Sequence, residues 1–260
     1  MTARVDRDGS VAIVTIDRAD RRNALDAETK VALRDALASV ASDEAVRAVV
    51  LTGAGPAFCV GQDLGEHAAA LQADAATAFD TVDEHYSPIV VSLATMPKPV
   101  IAAVSGACVG AGLGLALACD LRVLASDAKF GTAFSAIGLT CDSGLASSLV
   151  RAVGLARASE LMLLGATFGV DEALSWGISG IVAEPDEVLG KATELAQKLA
   201  AGPTRAFAET KALLAASTTM NLGQVLTAES AAQHRLGLTA DHQGAVASFL
   251  AKERPTFAGN

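Results

Sequence analysis

Aromatic and histidine chemistry is scarce in this chain. Tryptophan and tyrosine occur once each, at Trp176 and Tyr86, and histidine four times in 260 residues. The histidines (His67, His85, His234, His242) have no paired acid at a recognisable spacing and read as surface or structural groups. The four cysteines, Cys59, Cys108, Cys119 and Cys141, form no CxxC pair, and no histidine stands at zinc-ligand spacing from any of them. They read as small buried hydrophobes of a reduced protein. No apolar run reaches the ~18 residues of a membrane span, because Ser105 and several glycines interrupt the longest one. The opening MTARVDRDGS carries no signal-peptide core, so a cytoplasmic protein is expected. Net charge is −9 and the pI about 4.9, which disfavours nucleic acid as a partner. An anionic ligand needs a local basic patch.

Hydrophobic residues are plentiful, at 51%, and supply a large core. Strand-like and helix-like stretches alternate. VAIVTID (Val11–Asp17), AVVLTG (Ala48–Gly53), PKPVIAAVSG (Pro97–Gly106) and LRVLAS (Leu121–Ser126) read as strands. A helix is predicted over Ala27–Ser42, capped by Asp26, with Val31, Leu37 and Val40 on its inner face. Leu64–Thr95 reads as helical until Pro88 interrupts it, and GAGLGLALACD as a helix packed by small residues. The fold class is α/β with mostly parallel pairing. After about residue 200 the texture changes to three successive helices: Thr204–Ser217 after Pro203, Leu222–Gly237 capped by Asn221, and His242–Glu253 capped by Asp241. The chain therefore divides into a core over 1–200 and a helical segment over 201–260, too small to hold a core alone.

Two stretches bring bare backbone to the edge of the core. FCVGQDL (Phe58–Leu64) follows a strand, and VSGACVGAGLGLALACD (Val104–Asp120) has almost no side-chain chemistry until its last residue. Ser105-Gly106-x-x-x-Gly110-x-Gly112 has the look of a dinucleotide-binding fingerprint. It sits mid-chain, however, and Val90 stands four residues after Tyr86, where short-chain dehydrogenases need a lysine. The first turn of a helix offers free N–H groups and partial positive charge. Gly110, Ala111 and Gly112 let a ligand oxygen approach such groups, and Gly61 lets the amide of Gln62 do the same. Two amides converging on one oxygen make an oxyanion hole, each worth about 3 kcal/mol to an enolate or tetrahedral intermediate. Taken singly, each stretch also suits plain close packing of helix on strand.

Together with RADRRNAL (Arg18–Leu25), MPKPVIAAVSG, AKFGTAFSAIGLT and FLAKERPTF (Phe249–Phe257), these stretches resemble the crotonase superfamily, the enoyl-CoA hydratase/isomerase family, over nearly the whole chain. The resemblance implies a spiral of ββα units and a C-terminal helical trimerisation segment. It also implies a homotrimer or dimer of trimers, and an acyl-CoA thioester held by the amides of Gln62 and Ala111. Coenzyme A is then part of the substrate, and no separate cofactor is implied. Around the thioester the resemblance places Ala24, Val60, Gly61, Asp63 and Leu64 on one side and Gly110, Gly112, Phe134 and Leu139 on the other. Phe79, Tyr86 and Phe134 are candidates to shape the acyl pocket. Arg21 or Arg22, with Arg22 preferred, and Lys252 of the FxxK pattern are the candidate CoA phosphate contacts. Asp63 also suits hydrogen bonding to local backbone. Asp120 reads as structural.

The catalytic acids depart from the hydratase pattern. Hydratases of the family carry two glutamates, at the places held here by Gly114 and Phe134. Adding water needs one group to activate it and one to deliver a proton, and these residues do neither. Asp142, in GLTCDSG, stands where isomerase branches carry an acid. GQDL with FSAIGLTCDSG is most similar to the ring-1,2-epoxyphenylacetyl-CoA isomerase branch, although Leu145 replaces its second glycine. The apolar setting of Ile137, Leu139 and Leu145 predicts a raised carboxyl pKa. Asp142 also suits the N-cap of a helix over Ser143–Val153. Dehalogenating branches place a tryptophan where Phe134 stands. The reading is an enoyl-CoA isomerase mechanism. The alternatives are a hydratase with a non-standard acid and a non-catalytic acyl-CoA-binding scaffold.

Overall fold

The computed structural model describes residues 2–260. Strands β1 (Ala3–Asp8) and β2 (Val11–Ile16) form an antiparallel hairpin. Only one residue of β1 is buried, which is why its charged sequence did not read as a strand. Helix α1 (Ala27–Ser42) begins where predicted, with the Asp26 side chain accepting from the amide of Thr29. Its inner face is Lys30, Leu33, Leu37 and Val40. Val31 points outward instead, and a lysine takes the core position.

The chain continues through β3 (Ala48–Gly53), α2 (Leu64–Asp74), a π-helical turn at Val82–Tyr86, and α3 (Ser87–Thr95). Pro88 does not interrupt this helical region. It follows the π-helical turn directly, inside continuous helical backbone, and the wider turn before it accommodates the missing N–H. Next come β4 (Val100–Val104), β5 (Ala107–Val109), α4 (Ala111–Ala118), β6 (Leu121–Ala125) and β7 (Lys129–Gly131). They are followed by α5 (Leu145–Leu164), β8 (Thr167–Gly169), α6 (Val170–Trp176), β9 (Ile181–Ala183) and α7 (Val188–Ala200). A six-stranded sheet has the order β1-β2-β3-β4-β6-β9, parallel from β2 onward. Its central strands are apolar on both faces, as a covered parallel sheet requires.

A second sheet, β5-β7-β8, runs beside it. Isolated bridges between Cys59 and Cys108 and between Leu25 and Gln62 extend its pattern. Each crossover thus leaves the large sheet, adds a short strand to the small one, and enters a helix. The units β4–β5–α4 and β6–β7–α5 are the clearest ββα turns. Both stretches singled out above leave the small sheet at such a strand-to-helix exit.

Three helices follow α7 with no strand between them: α8 (Thr204–Ser217), α9 (Leu222–Gly237) and α10 (Ala240–Ala251). Asn221 caps α9 as predicted. Thr239, not Asp241, caps α10. Asp241 is buried and accepts from the amides of Ala258 and Gly259, tying the C-terminal tail down. The Lys211 ammonium joins α8 to the body through the Asp120 carboxylate at 2.9 Å and the Leu93 carbonyl at 2.8 Å. Asp120 is thus structural.

Candidate active site

Gly61 has φ +84°, a left-handed conformation that glycine adopts without a Cβ penalty. Its carbonyl accepts from the amide of Leu25 at 2.8 Å, and the Leu25 carbonyl accepts from the amide of Asp63 at 3.1 Å. These bonds pin Gln62 between them. The Gln62 amide itself donates to no acceptor among the described residues. Ala111 is the first residue of α4, so its amide has no partner within the helix. A Cβ on Gly61 would stand 3.2 Å from the Ala111 nitrogen and from the Val109 carbonyl oxygen. The segments bearing the two free amides are therefore in direct contact, and glycine is what lets them meet.

They open into a cavity of about 320 Å³. Its walls include Ala24, Val60, Gly61, Gln62, Asp63 and Leu64 from the first stretch, and Gly110 and Ala111 from the second. Thr132, Ala133, Phe134, Ile137 and Asp142 close it, and Arg21 lies at its rim. Arg22 is not on this wall, although the sequence reading preferred it. It takes the left-handed C-cap of the short 3-10 turn Ala19–Arg21 and faces solvent. Leu139 is also off the wall. Its amide folds back onto the Phe134 carbonyl at 3.0 Å, leaving Ile137 to face the cavity. Gly112 lies behind the wall, where a Cβ would stand 2.2 Å from the Cys59 carbonyl oxygen. Lys252 is the exposed C-cap of α10 and does not reach this cavity within the chain. Phe79 is exposed and stacks edge-on against His67.

Tyr86 stands behind the wall as well. It is buried, and its hydroxyl donates to Gln62 Oε1 at 2.6 Å. Burial pushes its pKa well above the usual phenol value, with the neighbouring Cys59, Asp142 and Glu66 adding to the effect. Lys30 Nζ lies 3.2 Å from the same oxygen and 3.3 Å from Glu66 Oε1. Sequence reasoning missed Lys30 and Glu66. The available signal was a lysine on the same face as Leu33, Leu37 and Val40.

Two acids line the cavity, and their surroundings differ. Asp63 accepts from Arg18 at 2.6 Å and from the amides of Gly65 and Glu66, capping α2. The Arg18 hydrogen bond leads the effects holding its carboxyl below the usual carboxylate range. Among the described residues Asp142 makes no ion pair. Its Oδ1 accepts from Ser143 Oγ at 2.7 Å, and burial raises its pKa against the smaller opposing pulls of that bond, its own backbone and the Lys30 charge. Asp142 is not a side-chain cap. Helix α5 starts later, at Leu145, behind Gly144, and breaks at Gly154. Ser143 and Gly144 have φ of +53° and +68° in succession. The left-handed Ser143 is local backbone cost carried at the acid-bearing turn, whereas Gly144 adopts that region freely.

The same turn explains Gly114. A Cβ there would stand 2.7 Å from both the Cβ and the carbonyl oxygen of Ser143. The space a side chain at 114 would need is filled by the turn that carries Asp142. Phe134, the other place where a hydratase glutamate was looked for, is 8% exposed and presents a ring to the cavity.

Comparison with known proteins agrees with this geometry. The family model described as enoyl-CoA hydratase/isomerase matches residues 6–260. The 1,2-epoxyphenylacetyl-CoA isomerase of Escherichia coli is 37% identical, over 96% of this chain and 95% of its own. The short-chain-enoyl-CoA hydratase of Clostridium acetobutylicum is 31% identical, over 96% and 95%. A crystal structure described as an enoyl-CoA hydratase/isomerase from Mycobacterium abscessus superposes with a TM-score of 0.96 at 47% identity, covering 99% of this chain and all of that one. The α/β architecture of parallel strands and ββα turns is thus the crotonase fold, and the chain belongs to the enoyl-CoA hydratase/isomerase family of acyl-CoA enzymes.

Proposed function

We propose that this protein is an enoyl-CoA isomerase that moves a double bond with one carboxylate. The thioester carbonyl accepts from the amides of Gln62 and Ala111. Asp142 removes a proton from the carbon between the thioester and a 3,4 double bond, so a C–H bond breaks and a carboxyl O–H forms. The electron pair spreads over a dienolate whose oxyanion rests on the two amides. The protonated Asp142 then returns the proton to the far carbon of the dienolate. The product is the conjugated 2-enoyl thioester, and neither water nor a separate cofactor enters the balance.

The observation that carries this reading is the contrast between the two cavity acids. Asp63 is committed to Arg18 and the start of α2, whereas Asp142 has no cation bonded to it among the described residues and sits beside apolar walls. Two-acid hydration lacks its second acid, since Gly114 has no room for one. Incubation with a 3-enoyl-CoA is expected to produce the ultraviolet absorbance of the conjugated thioester, and crotonyl-CoA is expected to keep its conjugation. Rapid hydration of crotonyl-CoA, or no change in either substrate, would sink the proposal. The second outcome would favour the scaffold reading.

The same reading includes a homotrimer or dimer of trimers. The C-terminal helices expose Leu214, Leu222, Leu226, Leu238, Phe249 and Leu250, each more than half accessible. A monomer rarely leaves so many large apolar groups in water. Lys252 ends the helix that bears Phe249 and Leu250, so assembly would also decide whether it meets the CoA of a neighbouring copy. Light scattering is expected to give at least three chains per particle. A monomer at micromolar concentration would rule this arrangement out.

A further inference from the structure

Lys30 is the polar group that the proton-transfer scheme leaves unused. Its side chain is 2% exposed, on the core face of α1. A charge so placed needs partners, because an unpaired buried ion is costly. It has Gln62 Oε1 at 3.2 Å and Glu66 Oε1 at 3.3 Å, and it lies 5.5 Å from the centre of the Tyr86 ring. The Gln62 carboxamide is thereby held from several sides. Its oxygen takes Lys30 and Tyr86, and its nitrogen lies 3.4 Å from both Glu66 Oε1 and the Asp63 carbonyl. Gln62 is also the wall between two spaces. One is the cavity containing Asp142. The other, of about 460 Å³, lies between α1, α2 and the turn before α3, and Lys30 lines it.

We propose that Lys30 is a positioning residue for the reaction: its buried ammonium anchors Gln62 from behind and supplies the positive charge that keeps Asp142 available as a base. The proposal rests on the isomerase reading above for its kinetic readout. The charges around Asp142 favour the assignment. From α1 comes Lys30, which stands behind Gln62 while Asp142 lines the cavity in front of it. Its charge is the smallest of the pulls that oppose burial at Asp142. From the turn before α3 comes Tyr86, a neutral phenol that itself feels Asp142. From α2 comes Glu66, paired with Lys30. Beneath them Cys59 is a neutral thiol, its pKa pushed by burial to about 12. On the cavity wall Asp63 is neutralised by Arg18, and Arg21 is solvated at the rim. The loop itself adds Ser143, a hydrogen-bond donor, and the half-buried Cys141. Lys30 is thus the buried cation of this group, with Gln62 between it and the cavity that Asp142 lines.

The test compares the full-length parent protein with Lys30→Met, which keeps the length and loses the charge. The Asp142 midpoint is followed by its carboxyl carbon-13 resonance, assigned through its loss in Asp142→Asn. Lys30→Met is expected to move that midpoint upward. It is also expected to lower kcat/KM roughly fivefold more on the acid side of the midpoint than on the alkaline side. Where Lys30→Met fails to fold, Glu66→Gln takes its place. Glu66 is one-third exposed, and its removal leaves the ammonium unneutralised, so the midpoint is expected to move down. A midpoint unmoved in the variant that folds overturns the proposal. So does a loss of rate equal at every pH, which marks Lys30 as a packing residue only. A moved midpoint in a protein that turns over no enoyl-CoA would uphold the charge coupling and defeat the isomerase reading instead.

Discussion

Asp142→Asn is expected to lower kcat for double-bond migration by about 10³-fold, within the range for loss of a positioned general base, with KM changed only a few-fold. The substitution is nearly isosteric, and an amide oxygen can still accept from Ser143 Oγ, which lies 2.7 Å from the parent carboxylate. The turn at Ser143–Gly144 therefore has no reason to move. The pH dependence is equally specific. Burial raises the Asp142 pKa, so the parent rate should climb with pH through a midpoint above the ordinary carboxylate range, and this limb should vanish in the variant. Stability should change in the opposite direction to activity. A carboxyl whose folded pKa is raised stabilises the fold fully below its unfolded value and loses that contribution as pH rises through the folded value. Asparagine never ionises, so the variant should melt above the parent at neutral and alkaline pH and converge with it in acid. Steady-state assays on a 3-enoyl-CoA and thermal melts across pH read both effects. A variant that turns over as fast as the parent would assign the proton transfer to another group.

Much of this protein was legible in its sequence where local chemistry and tertiary packing agree. The buried parallel strands are apolar on both faces, so Ala48–Gly53 appears at its predicted bounds. Helices α8 and α9 do too, since Pro203 and Asn221 mark their starts without reference to any contact. The glycines at 61 and 110 were legible as close-approach points because few other residues serve there. What escaped depends on distant partners. The edge strand β1 is charged because both of its faces meet water beyond Ala3. Lys30 went unmarked although it shares a face with Leu33, Leu37 and Val40, because its partners Gln62, Glu66 and Tyr86 come to it only through the fold. Arg22 and Leu139 stand one or two residues from true wall positions, Arg21 and Ile137. Motif spacing locates the turn, but only the turn's dihedral angles decide which side chain faces inward. Gly114 is the converse case. Its lack of a carboxylate was evident from sequence, while the steric reason, the Ser143 turn against it, was not.

Gly61→Ala is expected to cut kcat by about 10²–10³-fold, the cost of losing one oxyanion donor, and to destabilise the protein by about 1–2 kcal/mol through the left-handed conformation alone. The residue sits at φ +84°, and its new Cβ would fall 3.2 Å from both the Ala111 nitrogen and the Val109 oxygen. Relief of that contact must push the Gln62 and Ala111 segments apart. The 2.8 Å hydrogen bond that the Leu25 N–H donates to the Gly61 carbonyl resists movement of the first segment. The second segment is therefore the one expected to yield. A separation of a few tenths of an ångström is enough to misalign two donors meant for one oxygen, because hydrogen bonds weaken steeply as their angle closes. The loss should be selective. Affinity for free CoA, which presents no thioester oxygen, should hold near the parent value. Affinity for a β-ketoacyl-CoA, which enolises readily and places negative charge on that oxygen, should fall with kcat. Equal weakening of both ligands would point to general collapse of the cavity. Unchanged turnover in a folded Gly61→Ala protein would mean that the two amides never share the thioester oxygen.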